Sequence, residues 1–278
     1  MTLELHNPLD GYYLGTRFDR GGVFKSLVYK GVELCGEWFE HYSPTMHDAV
    51  CGPAEEFSLA PCGGFWLKPG VGLLRPDNEP YDRFRLYEIV SPGRWEVSRQ
   101  GGDTVFRHIL EPYYDYTKEI RIVSDSAFEI RHALEAHIPW DGWVYNHNFF
   151  TMGKMSVGPG RRIDFPFAPD GSWRSEYSSV GLTGSGIRFS RVLEKGESVF
   201  NGSLHEACRQ GMPYDMTLSE GPLSVHIKGD VPLMHTVFWA NHRVACLEPY
   251  NALKASAGQI IRWAVRYELN LSEDEIGQ

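Results

Sequence analysis

Ile261-Arg262-Trp263-Ala264-Val265-Arg266-Tyr267-Glu268-Leu269 alternates large apolar side chains with small or charged ones along its whole length. A period of two is the pattern of a strand with one buried face. The alternation recurs where Phe128, Ile130, His132 and Leu134 interleave with Glu129, Arg131 and Ala133. Shorter versions appear at Trp95 and Val97, at Ile120 and Ile122, at Ile163, Phe165 and Phe167, and at Leu223, Val225 and Ile227. Ser91-Pro92-Gly93, Gly101-Gly102-Asp103 and Gly221-Pro222 punctuate these runs. Helical periodicity is scarce. Strands broken by tight turns predict an all-β chain built as an antiparallel sandwich. Single turns or brief helices are expected only at Ala54-Glu55-Glu56-Phe57 and Ala252-Leu253-Lys254-Ala255.

Outward from these runs, 278 residues with 42% hydrophobic content can bury one large core, and no linker or fixed-period repeat divides them. A single domain over 1–278 is expected, with the acidic Ser272–Gln278 segment frayed. A formal charge of -9 argues against a nucleic-acid partner, which calls for a basic face. No stretch approaches a transmembrane helix in length, and Met1-Thr2-Leu3-Glu4-Leu5-His6 lacks the regions of a signal peptide. Cys35, Cys51, Cys62, Cys208 and Cys246 are odd in number and form no Cys-x-x-Cys pair, which reads as free thiols in the cytoplasm.

Chemistry concentrates in Tyr145-Asn146-His147-Asn148-Phe149-Phe150 and in Glu248 of Cys246-Leu247-Glu248-Pro249-Tyr250. A histidine among amides and aromatics can exchange a proton with a polar ring, while Asn146 and Asn148 bond hydroxyls and the aromatics cover an apolar sugar face. Alternation puts Tyr145, His147 and Phe149 on one face and Val144, Asn146, Asn148 and Phe150 on the other. Glu248 follows the apolar Val244-Ala245-Cys246-Leu247 and precedes a proline, so it is expected at the end of a buried strand, facing a ligand or paired with Arg243 or Arg262. An acid and a base across one pocket suffice to move protons on a sugar.

These two motifs resemble the galactose mutarotase-like (aldose 1-epimerase) superfamily, whose acid histidine lies in an Asn-His-x-(Tyr/Phe)-Phe strand and whose base is a glutamate near the C-terminus. The resemblance implies a β-supersandwich fold, His147 as acid, Glu248 as base, and interconversion of sugar anomers without a cofactor. Two features of the pattern are missing. No His-Gly pair lies upstream, and the aspartate that contacts sugar hydroxyls has only Asp215 as a candidate.

Further substrate contacts are expected from Glu56 and Lys68, which flank glycine-rich turns, from Trp239, and from Arg83. Arg75, Arg83 and Arg85 together could hold a carboxylated or phosphorylated sugar through bidentate forks, which motivates a second reading, lyase or isomerase chemistry on an acidic sugar. A third is a non-catalytic carbohydrate-binding protein. His41, His47 and Asp48 match no compact ligand spacing, so no metal is expected. Without a phosphate-cradling glycine motif no nucleotide cofactor is expected either. The partner expected is a small-molecule carbohydrate, with neither nucleic acid nor membrane; the oligomeric state is not legible.

Overall fold

The computed structural model describes residues 4–6, 26–35, 52–82, 85–100, 103–153, 156–202, 204 and 211–272. Among these residues there is no helix. In chain order the strands are β1 (Glu4–His6), β2 (Ser26–Tyr29), β3 (Val32–Glu33), β4 (Gly52–Phe57), β5 (Ala60–Cys62), β6 (Phe65–Lys68), β7 (Gly72–Leu74), β8 (Ile89–Ser91), β9 (Arg94–Gln100) and β10 (Asp103–Leu110). They continue with β11 (Tyr114–Ser124), β12 (Ala127–Ala136), β13 (Trp140–Phe149), β14 (Arg161–Asp164), β15 (Val180–Thr183), β16 (Gly186–Phe189) and β17 (Ser198–Asn201). The last four are β18 (Pro213–Glu220), β19 (Leu223–Asn241), β20 (Ala245–Ala255) and β21 (Gln259–Leu271). β1 to β3 make one small sheet, β5 to β8 another, and the remaining strands one large antiparallel sheet.

The large sheet folds over on itself through β19. One layer runs β15-β16-β14-β18-β19-β21-β12-β11-β10-β9, and the other runs β4-β13-β20-β19-β17. The first part of β19, Leu223 to Gly229, pairs with β21, and the part from Leu233 onward pairs with β20. Where β19 leaves β21, Asp230 Oδ1 accepts the Ala264 N–H at 2.7 Å, so a side chain takes over from the ladder. The layers meet face to face. Phe57 of β4 lies edge-on to Tyr116 of β11 at 5.2 Å, and Phe150 lies 6.4 Å from Tyr267 of β21. Phe128, Ile130, Leu134 and Val265 fill one side of this core, with Val144, Phe238 and Leu247 on the other. Each side chain buried to this degree contributes about 1.5–3 kcal/mol.

The alternating runs at Phe128–Leu134 and Ile261–Leu269 are β12 and β21, paired with each other so that His132 opposes Trp263. Gly221-Pro222 joins β18 to β19 as a hairpin turn, with Glu220 opposite Leu223. Two expectations are corrected. Ala54–Phe57 lies in β4 and Ala252–Ala255 in β20, both strands rather than helical turns. Each segment is paired along its length with β13, and ladder pairing outweighs the weak helix preference of a few Ala, Glu, Leu and Lys residues. The Ile163 alternation ends sooner than expected, since β14 stops at Asp164. Glu273–Gln278 and Gly101-Gly102 lie outside the described residues. No helix among the described residues is long and apolar enough to cross a membrane.

Arg161 anchors the end of β13 from within the core. It is fully buried, with Nε donating to Glu220 Oε2 at 2.5 Å, Nη1 to the Phe150 carbonyl at 3.1 Å and Nη2 to the Thr151 carbonyl at 3.2 Å. Burial pulls its guanidinium pKa down, and the Glu220 carboxylate opposes that pull. Gly160 makes room for the pair, because a Cβ there would stand 2.2 Å from Glu220 Oε1.

Candidate active site

The register of β13 against β20 decides the site. Tyr145 opposes Tyr250, and further along Phe150 bridges Ala245 in the same register. Between these two points His147 falls opposite Glu248, and Phe149 opposite Cys246. The regular ladder is open across this interval, and Pro249, which has no N–H to give it, lies within the gap. Glu248 is thus inside β20 rather than at a strand end, because β20 stays paired with β19 here, Glu248 opposite Val237, where its ladder to β13 opens.

Asn148 bridges the gap from the core side. Its Nδ2 donates to the Leu247 carbonyl at 2.8 Å, and its Oδ1 accepts from Tyr267 Oη at 2.8 Å. The amide expected to bond a sugar hydroxyl is therefore engaged in joining β13, β20 and β21. Asn146 shares that inward face and is fully buried.

The opposite face carries the rings and the titratable groups. β19 places His235, Val237 and Trp239 beside Tyr250, Glu248 and Cys246, and β17 places Phe200 beside Trp239. Tyr145 stacks on Tyr250 at 4.2 Å, and His235 stacks on the same ring at 4.1 Å. The His147 imidazole lies nearly parallel to Phe149 at 4.9 Å, with Tyr145 4.8 Å away on its other side. Trp239, half-buried, meets Phe149 edge-on at 5.9 Å. These contacts fix the imidazole plane.

His147 Nδ1 lies 3.8 Å from Glu248 Oε1, with side-chain exposures of 0% and 7%. Cys246 Sγ lies 3.9 Å from the same carboxylate oxygen. Burial pushes the Cys246 thiol pKa well up, and the neighbouring Glu248 charge adds to the effect.

Of the residues expected from sequence, His147, Glu248 and Trp239 come together on one face. Glu56 reaches it through its backbone, which pairs with Tyr145. Lys68 does not. It is buried in the small β5–β8 sheet, where its carbonyl accepts from Tyr114 Oη at 3.3 Å. Tyr114 packs against Trp140, at the far end of β13 from His147 and about 23 Å away along an extended strand. Arg83, His41, His47 and Asp48 lie outside the described residues. Arg75 pairs with Glu88 at 2.6 Å, and Arg85 with Asp77. Asp215 is held by His226 at 2.6 Å in the other layer, and Arg243 is exposed in the β19–β20 turn. Among the described residues the ionic neighbour of Glu248 is His147. Cys246, Tyr250, His235 and Phe200 line the same face without being expected there from the sequence. The spacing of two in Cys246-Glu248-Tyr250 and His235-Val237-Trp239 is the signal that could have found most of them.

No family model matches this chain, and no curated protein sequence matches it. Solved structures do. A galactose mutarotase-related enzyme from Lactobacillus acidophilus is similar at a TM-score of 0.56 and 11% identity, covering 93% of this chain and 95% of the other. A galactose mutarotase-like protein from Clostridium acetobutylicum has a TM-score of 0.53 at 13% identity, covering 91% and 90%. An aldose epimerase homologue from C. elegans has a TM-score of 0.52 at 13% identity, covering 91% and 94%. The chain has the galactose mutarotase-like fold.

Proposed function

We propose that this chain is a cofactor-independent isomerase of the aldose 1-epimerase type, acting on a small free sugar in the cytoplasm. The observation that carries this reading is His147 Nδ1 facing Glu248 Oε1 at 3.8 Å on a ring-lined sheet face. Two groups this close can reach the two oxygens that share an anomeric carbon. Glu248 takes the proton from the anomeric hydroxyl while the His147 imidazolium protonates the ring oxygen. The bond from that oxygen to the anomeric carbon breaks, giving the open-chain aldehyde. Rotation next to the carbonyl presents its other face, and reclosure runs the two proton transfers backwards, restoring both groups. Trp239, half-buried, supplies a ring face for the apolar side of the sugar.

Polarimetry or saturation-transfer NMR on a panel of free aldoses tests the reading. Wild-type protein should accelerate anomer exchange, and Glu248→Gln should remove the acceleration. His147→Ala should lower turnover roughly a hundredfold or more, the usual contribution of a general acid, with a smaller change in KM. Equal acceleration by wild type and Glu248→Gln would count against the proposal.

One observation favours a second reading. The complete burial of His147 would suit a protein that binds a carbohydrate on the aromatic rim and does not turn it over. Calorimetric binding without exchange on any bound sugar would select it. An acidic sugar would find Arg75 and Arg85 already paired with Glu88 and Asp77.

A further inference from the structure

We propose that His147, Cys246 and Glu248 form a binding site for a thiophilic divalent metal ion of the zinc class, and that the ion and the sugar chemistry exclude one another. One ligand atom from each residue, an imidazole nitrogen, the sulfur and a carboxylate oxygen, lies within 4.8 Å of the others, and all three residues are buried. The two pairs that share Glu248 Oε1 are 3.8 and 3.9 Å apart. Around a tetrahedral zinc ion such atoms stand about 3.3–3.6 Å from one another, given metal–ligand bonds of about 2.0–2.3 Å. The donors thus need to close by only a few tenths of an ångström to about one ångström.

The arrangement follows from the backbone. Cys246 and Glu248 are two residues apart on β20 and share a face, and His147 enters from β13 across the open interval. Packing on both sides of the imidazole already holds its plane. Nitrogen, sulfur and carboxylate oxygen are the donor types zinc accepts, and three protein donors leave a fourth position open. The charges also balance. On binding, the thiol proton leaves to solvent, and a thiolate and a carboxylate neutralise a dication. Magnesium or calcium would prefer an all-oxygen shell. No compact metal-ligand motif announces this site, because His147 is brought to Cys246 and Glu248 only by strand pairing.

A bound ion takes the imidazole lone pair and the carboxylate that the proton transfers require. This second half of the proposal rests on the isomerase reading, whereas the binding half does not.

Cobalt(II), titrated into the full chain with a non-thiol, non-chelating reductant present, is the direct probe. One equivalent should give a near-ultraviolet thiolate-to-cobalt charge-transfer band with the strong visible bands of four-coordination, and zinc should displace it. Cys35→Ser and Cys62→Ser should keep these bands. Cys246→Ser should lose the charge-transfer band, and His147→Gln should bind at least about a hundredfold more weakly. No thiolate band on the wild type, or a band that persists in Cys246→Ser, overturns the site. If Cys246→Ser does not fold by circular dichroism, folded His147→Gln decides: an unchanged spectrum and affinity overturn the proposal. If anomer exchange is found, zinc should abolish it and a chelator restore it. Exchange untouched by saturating zinc overturns the exclusion. Cobalt binding with no exchange on any sugar sinks the isomerase reading alone.

Discussion

Asn148 shows how one side chain carries the strain of a local exception. The ladder between β13 and β20 opens around Pro249, and this amide satisfies the Leu247 carbonyl and the Tyr267 hydroxyl at once. Asn148→Ala leaves both groups buried without these partners, a cost of about 1–3 kcal/mol each. Chemical denaturation should show that loss in the midpoint. The effect expected from the sequence, weaker substrate binding, should be secondary. Glu197 offers a residue-level test in pH. Hydrogen bonds from Arg191 at 2.8 Å, then the Glu194 N–H at 2.9 Å, hold its carboxyl down to about 2 from an ordinary 4.5. A folded-state pKa below the unfolded one stabilises the fold above about pH 4.5, and the gain fades as pH falls through about 2. Glu197→Gln should therefore be less stable than wild type at pH 7, and the two stability curves should converge near pH 2.

At the scale of elements, the buried Arg161–Glu220 pair links β14 and β18 to the residues that follow β13. Removing one partner from such a pair typically costs about 3–5 kcal/mol, because the other charge stays buried alone. Arg161→Ala should lose that much in urea denaturation. Replacing both residues with apolar ones, as in Arg161→Met with Glu220→Leu, should recover a large part. The strands themselves were unequally legible. β12 and β21 announce themselves through alternation, since each has one face in the core and one in solvent. β4 and most of β20 lack that signature. β20 is buried from Ala245 through Asn251 on both faces, and a strand covered on two sides has no reason to alternate.

The whole molecule is organised by strands that belong to two layers. β19 pairs with β18 and β21 in one and with β17 and β20 in the other, and β20 and β21 return the chain across the same divide. Loosening either layer therefore removes partners from the other. We propose that residues 1–278 behave as one folding unit, with a single thermal transition that coincides by near-ultraviolet and far-ultraviolet circular dichroism. Two resolved transitions would show separable units.

By itself the amino-acid order determined the class of fold and the two polar residues worth testing. Alternation, turn residues and the absence of helical period are local properties, and His147 and Glu248 stand in short motifs that can be read where they occur. Tertiary structure alone decided what those residues face. Asn148 turns inward, Lys68 belongs to another sheet, and Cys246 joins His147 and Glu248, because register between strands about a hundred positions apart assigns each side chain its neighbours. Such pairing is selected by the burial of whole faces, an energy summed over the two layers and written in no single segment.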